Sequence, residues 1–201
     1  MNKLIKKIIK NNLKTKMAGF TLFEIIVSIS LFTIIIILVS NIYLVTQNTY
    51  NKNSNLAELT QNARVSLDRI SRELRQSSSI ITTLPETDND PNNPPTNQIF
   101  FQDGHDINQI TYLRYYLDGT NLMREHKAYY FDEEPLVYVV YNSLDQGGDP
   151  PSETILDDRV VGEYFTELEF WGVNGLINIS LSLAKNQNIF AIETSVFSRN
   201  Y

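Results

Sequence analysis

The sequence predicts an α+β fold in which one long N-terminal helix packs on an antiparallel β-sheet head. Two observations carry this prediction: a helix-length apolar run near the N-terminus, and a second half rich in alternating strand-like segments and turn residues. The chain has 201 residues, 42% of them apolar, which suffices for one ordinary domain core and an accessory segment. It contains no cysteine, which excludes disulfides, thiolate metal sites and a cysteine nucleophile.

Charge is distributed unevenly along the chain. Residues 1–19, which we predict to be a basic leader peptide, contain six lysines and no acidic residue. The remaining chain has 11 basic and 23 acidic residues, a net charge of −12. Phosphate binding needs clustered lysine and arginine, so this acidic body argues against direct contact with nucleic acid. The lysines instead favour the cytoplasmic face of a membrane.

Residues 20–46 are predicted to form a transmembrane helix. Residues 25–46 contain no charge, glycine or proline. As a helix they are about 33 Å long against about 30 Å of hydrocarbon, so they can cross a bilayer once. Because the lysines precede this segment, we expect the N-terminus in the cytoplasm and the head outside. A secretory signal peptide or an ordinary signal anchor is the alternative, but neither accounts for Gly19 and Glu24.

Residues 47–79 are predicted to continue the helix as an amphipathic segment. Apolar residues at helical spacing form one stripe on it, which consists of Leu56, Leu59, Ala63, Leu67, Ile70 and Leu74. Asp68 and Arg72 form a favourable i,i+4 pair. The stripe favours packing on a sheet, with a partner-binding coiled coil as the alternative.

Residues 80–201 are predicted to form the β-rich head. Residues 84–98 hold four prolines with many Asp and Asn, which is typical of a surface loop. Asp118-Gly119 predicts a β-hairpin. Residues 163–197 predict three successive strands, with the first turn at Asn174-Gly175. These patterns indicate an antiparallel meander against one helix.

The junction between leader and helix, Gly19-Phe20-Thr21-Leu22-Phe23-Glu24, resembles the processing site of type IV prepilins and pseudopilins. The motif is short, but the preceding lysines and the uninterrupted apolar helix after it make it specific. The resemblance implies a pilin-like, lollipop-shaped fold. It also implies cleavage after Gly19 by a membrane prepilin peptidase and N-methylation of the new terminal residue, Phe20. Glycine before the cleaved bond allows a peptidase to approach the backbone closely.

Glu24 needs an explanation, because a charge within a membrane helix costs about 2.5–3.5 kcal/mol and usually has a partner. The resemblance implies that its carboxylate meets the Phe20 amine of a neighbouring subunit and sets the register of filament assembly. The alternative is an interfacial glutamate whose carboxylate reaches the lipid headgroups.

The resemblance implies a minor pilin-like structural subunit of a type IV pilus, active in assembly, priming, adhesion or DNA uptake. Its expected partners are the prepilin peptidase, other pilins or pseudopilins, the inner-membrane assembly platform and, before assembly, the membrane itself. The protein would pass from a single-span inner-membrane form to an extracellular filament or a periplasmic pseudopilus. Many major pilins have a helix-breaking residue where this chain has Thr33 and Asn41, which favours a minor subunit.

Two alternative functions stay open. Residues 67–79, 122–125 and 193–200 are similar to both J-type pseudopilins of type II secretion systems and W-type minor pilins, so a J-type pseudopilin is the first alternative. A membrane-anchored extracellular binding module that shares only the signal is the second.

We predict no catalytic site, metal site or cofactor. Asp103, His105 and Asp106 form a turn-like cluster, and His126 is predicted to be a half-exposed strand residue. Residues 88–93 resemble loose calcium ligands but lack EF-hand spacing, so calcium binding is an alternative only. Asp157-Asp158 are predicted to be solvated surface residues. The sequence has no GxSxG, phosphate-loop or dinucleotide motif.

Overall fold

The computed structural model describes residues 19–106 and 109–199. Apart from Gly19, the predicted leader peptide 1–19 lies outside the described residues. The chain divides into two units, Met1–Tyr50 and Asn51–Tyr201. One helix, α1 (Leu22–Gln76), contributes to both units, and all of the described strands lie in the second.

Helix α1 has 55 residues and no glycine or proline, the residues that most often interrupt a helix. It begins directly after Thr21 and continues through Thr33 and Asn41. The helix therefore covers most of the two segments, 20–46 and 47–79, that were predicted to be helical.

Helix α1 ends at Gln76, three residues before the predicted boundary at position 79. The Ser78 N–H donates to the Gln102 carbonyl at 3.0 Å, and the next two residues form β1 (Ser79–Ile80). Strand pairing thus uses the backbone groups that would extend the helix. The helix therefore ends directly before the three serines, Ser77 to Ser79, that were predicted to end it.

The strands form two antiparallel sheets. In the first sheet β1, β2, β3 and β4 are neighbours in that order, and β5 and β6 both pair with β4. Its strands after β1 are β2 (Ile99–Gln102), β3 (Thr111–Asp118), β4 (Asn121–Tyr130), β5 (Tyr138–Val139) and β6 (Ser152–Gly162). The second sheet has the order β7-β8-β9, with β7 (Phe165–Val173), β8 (Leu176–Lys185) and β9 (Asn188–Phe197).

Two hairpin turns lie where the sequence predicted them. The β3–β4 turn contains Gly119 with φ 59°, and the β7–β8 turn contains Asn174 with φ 53° and Gly175 with φ 81°. Glycine and asparagine tolerate this left-handed backbone better than other residues. The three strands predicted over 163–197 are β7, β8 and β9.

Strand β6 was not predicted, and it changes the topology. It pairs with β4, with two register shifts, and does not pair with β7, the next strand along the chain. Its residues Asp157, Asp158 and Arg159 are consecutive charges, so the apolar–polar alternation of a strand is absent there. The predicted antiparallel meander is confirmed for β7, β8 and β9, but the division of the strands into two sheets was not predicted.

The core of the second unit is formed by the helix stripe and both sheets. Five stripe residues are at most 8% exposed: Leu59, Ala63, Leu67, Ile70 and Leu74. Leu56, predicted to start the stripe, is 39% exposed. Phe101 and Tyr115 of the first sheet and Phe170 of the second are fully buried in the same cluster. The helix-on-sheet α+β layout is confirmed, and burial of each such side chain contributes about 1.5–3 kcal/mol.

Candidate functional site

The start of helix α1 is closed by reciprocal hydrogen bonds between Thr21 and Glu24. The Thr21 backbone N–H and hydroxyl donate to Glu24 Oε2 at 2.9 and 3.0 Å, and the Glu24 N–H donates to Thr21 Oγ1 at 3.2 Å. This arrangement is a capping box, which satisfies N–H groups that have no partner within the helix. The carboxylate also lies at the positive end of the helix dipole.

Sequence reasoning identified Glu24 but missed its partner within the same turn. The signal was present, because Thr-x-x-Glu directly before an apolar run is the pattern of a capping box. Both bonds from Thr21 end on Oε2, and the hydrogen bonds of the described residues leave Oε1 free. Glu24 can therefore cap its own helix and still accept a bond from a second donor.

Gly19 and Phe20 lie just outside helix α1, in backbone without regular structure. Phe20 is 82% exposed. A Cβ added at Gly19 would meet no described atom within 4 Å. The local fold of the described residues therefore does not require glycine at position 19.

The first part of helix α1 exposes its apolar side chains on all faces. Every large apolar side chain from Phe20 to Val45 is between 39% and 82% exposed. Three hydroxyls in this segment donate to the carbonyl four residues earlier, each at 2.8 Å: those of Ser30, Thr33 and Ser40. These hydroxyls therefore have hydrogen-bond partners within the helix. Such partners are needed in the hydrocarbon of a bilayer, where water is absent. By length and composition, α1 is the one described helix that can cross a membrane.

The polar cluster of the second unit joins helix α1 to the first sheet. Arg124 Nε donates to Glu73 Oε1 at 3.1 Å, and the Tyr115 hydroxyl donates to Glu73 Oε2 at 2.6 Å. Arg124 Nη1 also reaches Asp157 Oδ2 at 3.4 Å. Burial, followed by the Glu73 charge, raises the pKa of Tyr115, so its phenol stays protonated and able to donate.

The prediction that Asp157 is a solvated surface residue was incomplete. Its carboxylate accepts from Arg124 and lies 3.2 Å from Arg159 Nε. Its side chain is 41% exposed, so it lies at the edge of the polar cluster rather than in bulk solvent. Only the unpredicted pairing of β6 with β4 brings it next to Arg124.

His105 and the acidic loop 88–93 lie apart from the start of helix α1 in sequence and make local contacts. Asp103 Oδ1 accepts the His105 backbone N–H at 3.2 Å, in a segment without helix or strand. Asp90 Oδ1 accepts the Asn92 N–H at 2.9 Å. Among the described residues, no three His, Cys, Asp or Glu side chains are grouped closely enough to hold a metal ion.

His126 lies on β4 with intermediate exposure, as the sequence predicted. Its Nε2 is buried without a hydrogen-bond partner in the described part of the chain. Burial, followed by the nearby Arg124 charge, lowers the pKa of His126. The ring is therefore held neutral beside the polar cluster.

Comparisons of the chain with protein-family models, with curated proteins and with solved structures found no match.

Proposed function

We propose that this chain is a minor pilin-like structural subunit of a type IV pilus. One observation carries the proposal: the Gly19–Glu24 motif spans the start of a continuous helix, and the first half of that helix exposes its apolar side chains on all faces. Such a helix needs an apolar environment, first lipid and then the helices of neighbouring subunits. The motif supplies the signal for moving from the first environment to the second.

Gly19 supports the proposal because the local fold gives no reason for it. A side chain at this position would meet no neighbour among the described residues. A glycine that the fold does not need is expected where another protein must approach the backbone, as a peptidase does. Cleavage after Gly19 removes all six lysines of the leader and leaves the α-amine on Phe20.

The capping box supports the same function after cleavage. Thr21 and Glu24 both remain on the mature chain, so the cap of helix α1 survives processing. The new Phe20 amine is a cation at the positive end of the helix dipole, which is unfavourable by about 0.3–1 kcal/mol. The free Oε1 of Glu24 can offset this cost by accepting a bond from the Phe20 amine of a neighbouring subunit.

Mass spectrometry of the mature protein from its own cells tests the proposal. The expected N-terminus is Phe20 carrying one N-methyl group. In a Gly19→Val variant we expect the unprocessed chain to accumulate, because the side chain blocks approach to the bond. The single tryptophan, Trp171, should report an unchanged head in that variant. An intact Met1, or a cut near residue 41, would overturn the proposal.

A deletion strain distinguishes a pilus subunit from a type II secretion pseudopilin. Loss of a minor pilin should reduce the number of surface filaments and leave secreted proteins unchanged. The opposite result, normal filaments with a secretion defect, would assign the chain to a secretion system. Re-expression of the wild-type chain should restore whichever property was lost.

A further inference from the structure

The outer edge of β9 has no strand partner among the described residues. β9 pairs with β8 over all ten of its residues, from Asn188 to Phe197, without a register shift. On its other side no described strand is hydrogen-bonded to it. We call this side the β9 edge. A long regular edge of this kind is a template for pairing with another chain.

The backbone groups at the β9 edge belong to alternate residues. Ala184 of β8 lies opposite Ile189, and the Ala184 N–H donates at 2.9 Å to Tyr164, which directly precedes β7. Opposite residues in an antiparallel pair exchange both hydrogen bonds or neither, so the N–H and C=O of Ile189 point outward. By alternation, the outward-pointing residues are Ile189, Ala191, Glu193, Ser195 and Phe197.

The side chains at the β9 edge do not protect it. Ile189 is 75% exposed and Phe197 is 65% exposed, and both are among the residues whose backbone N–H and C=O groups point outward. Phe190 and Ile192 are alternate residues, so their side chains lie on the opposite face of the sheet. They pack against the hydrophobic core but are only partly buried, because the sheet stops at β9. Glu193 is the one charged residue in the strand, which has no proline or lysine.

Strand β6, an edge strand of the first sheet, differs in each of these respects. It carries four charged residues in 11, which are Glu153, Asp157, Asp158 and Arg159. Its pairing with β4 contains two register shifts, whereas the pairing of β8 with β9 contains none. Charges and irregular pairing are the usual means of preventing edge-to-edge association. Among the described residues, the β6 edge is therefore protected and the β9 edge is open.

We infer that the β9 edge binds an extended strand of another protein by β-strand addition. On the face of the sheet where Phe190 and Ile192 lie, the partner strand has apolar side chains. On the opposite face it carries lysine or arginine next to Glu193. Charge complementarity supports this occupant rather than a second copy, because the chain after Gly19 has a net charge of −12. The inference does not depend on the processing of Gly19.

A model peptide tests the inference on the full chain in nanodiscs of zwitterionic lipid. The probe is a fluorescent ten-residue peptide in which valine and threonine alternate. One lysine replaces the central threonine. Fluorescence anisotropy should show saturable binding, with empty nanodiscs as the background. A matched peptide with glutamate in place of the lysine should bind about two- to fivefold more weakly. Equal binding of the two peptides would overturn the charge assignment, and no binding of either would overturn the site.

Matched variants on the two edges locate the binding. Ile189→Lys places a charge on the β9 edge, and Ile155→Lys places the same charge on β6, where Ile155 is 56% exposed. Only the first should weaken peptide binding, by about threefold or more. Ala191→Pro, which removes one outward N–H, should also weaken it. Unchanged Trp171 fluorescence confirms folding, and equal loss from both lysine variants would contradict the inference.

The absence of cysteine makes a register test possible. With oxidised glutathione as the oxidant, which is reduced to two glutathione thiols, Ala191→Cys should form a disulfide with a peptide that carries one cysteine at its centre, whereas Ile155→Cys should not. A disulfide between two copies of the Ala191→Cys chain, without capture of the peptide, would show that a second copy occupies the edge and would refute the stated partner.

Discussion

The two halves of helix α1 use similar apolar residues but bury them differently. From Phe20 to Val45 every large apolar side chain is at least 39% exposed, whereas the five buried stripe residues between Leu59 and Leu74 are at most 8% exposed. Apolar residues surround the first half and form one stripe on the second. A single sheet can cover a stripe but cannot cover a whole helix surface. The first half therefore requires an apolar surrounding that the described chain does not supply.

The charged residues of the helix differ in the same way. Among the described residues, Glu24 in the first half bonds only within its own turn. Glu73, in the second half, bonds across to Arg124 and Tyr115 of the first sheet. The first arrangement leaves a carboxylate oxygen for another molecule, and the second stabilises the head itself.

The largest effect is expected from Glu24→Ala in the first half. The proposed function predicts that this variant is still cleaved after Gly19 but that its incorporation into filaments falls by about tenfold or more. The reason is that the Phe20 amine of the neighbouring subunit loses its acceptor. Quantitative immunoblotting of sheared filaments against the membrane fraction measures the change.

Thr21→Val is the control for the capping role of Glu24. It removes the Thr21 hydroxyl from the capping box and leaves the carboxylate in place, at a cost of about 0.5–2 kcal/mol to the helix start. If this variant enters filaments normally, the loss seen with Glu24→Ala comes from the missing contact with the neighbouring subunit. Equal loss in both variants would mean that capping alone explains Glu24.

In the second half, Glu73→Leu should destabilise the head by about 3–5 kcal/mol, because it leaves the Arg124 guanidinium without its main buried partner. The control is Asp68→Ala, which removes an exposed i,i+4 pair with Arg72 and should cost about 0.3 kcal/mol. Denaturant unfolding of the full chain, followed by Trp171 fluorescence, measures both. Similar losses from the two variants would show that the polar cluster does not hold the helix to the sheet.

Ile70→Ala tests the stripe directly and should destabilise the head by about 2–5 kcal/mol, because Ile70 is fully buried. Val65→Ala on the same part of the helix, where Val65 is 55% exposed, should change the stability by about 0.5 kcal/mol at most. Ile36→Ala in the first half should leave head unfolding unchanged. A large effect of Ile36→Ala on Trp171 unfolding would contradict the division between the halves.

The smallest effect concerns pH. Burial, followed by the Glu73 charge, raises the pKa of the Tyr115 phenol, so the folded chain keeps a proton that the unfolded chain releases above about pH 10. The contribution to stability is complete below this pH and declines as the pH rises. Above about pH 10, the unfolding free energy of Tyr115→Phe should therefore fall less steeply with pH than that of the wild type. The difference in slope should be up to about 1.4 kcal/mol per pH unit. Identical slopes of unfolding free energy against pH in the two proteins would contradict this assignment.

Local patterns were sufficient where neighbouring residues alone decide the structure. The hairpin at Asp118-Gly119 and the turn at Asn174-Gly175 were predictable because few residues tolerate a left-handed backbone. The capping box of Thr21 and Glu24 was equally local and could have been predicted. Strand β6 could not, because its pairing with β4 depends on residues far away in the sequence.

The amino-acid sequence by itself determined the long helix, the side of it that is buried in the head, and the motif from Gly19 to Glu24, since each depends on residue types at short spacing. Only the tertiary structure decided that Glu73 and Arg124 meet, that the described strands divide into two sheets, and that no described strand pairs with the outer side of β9. These features arise from contacts between distant segments, and local pattern cannot specify which distant strands will pair.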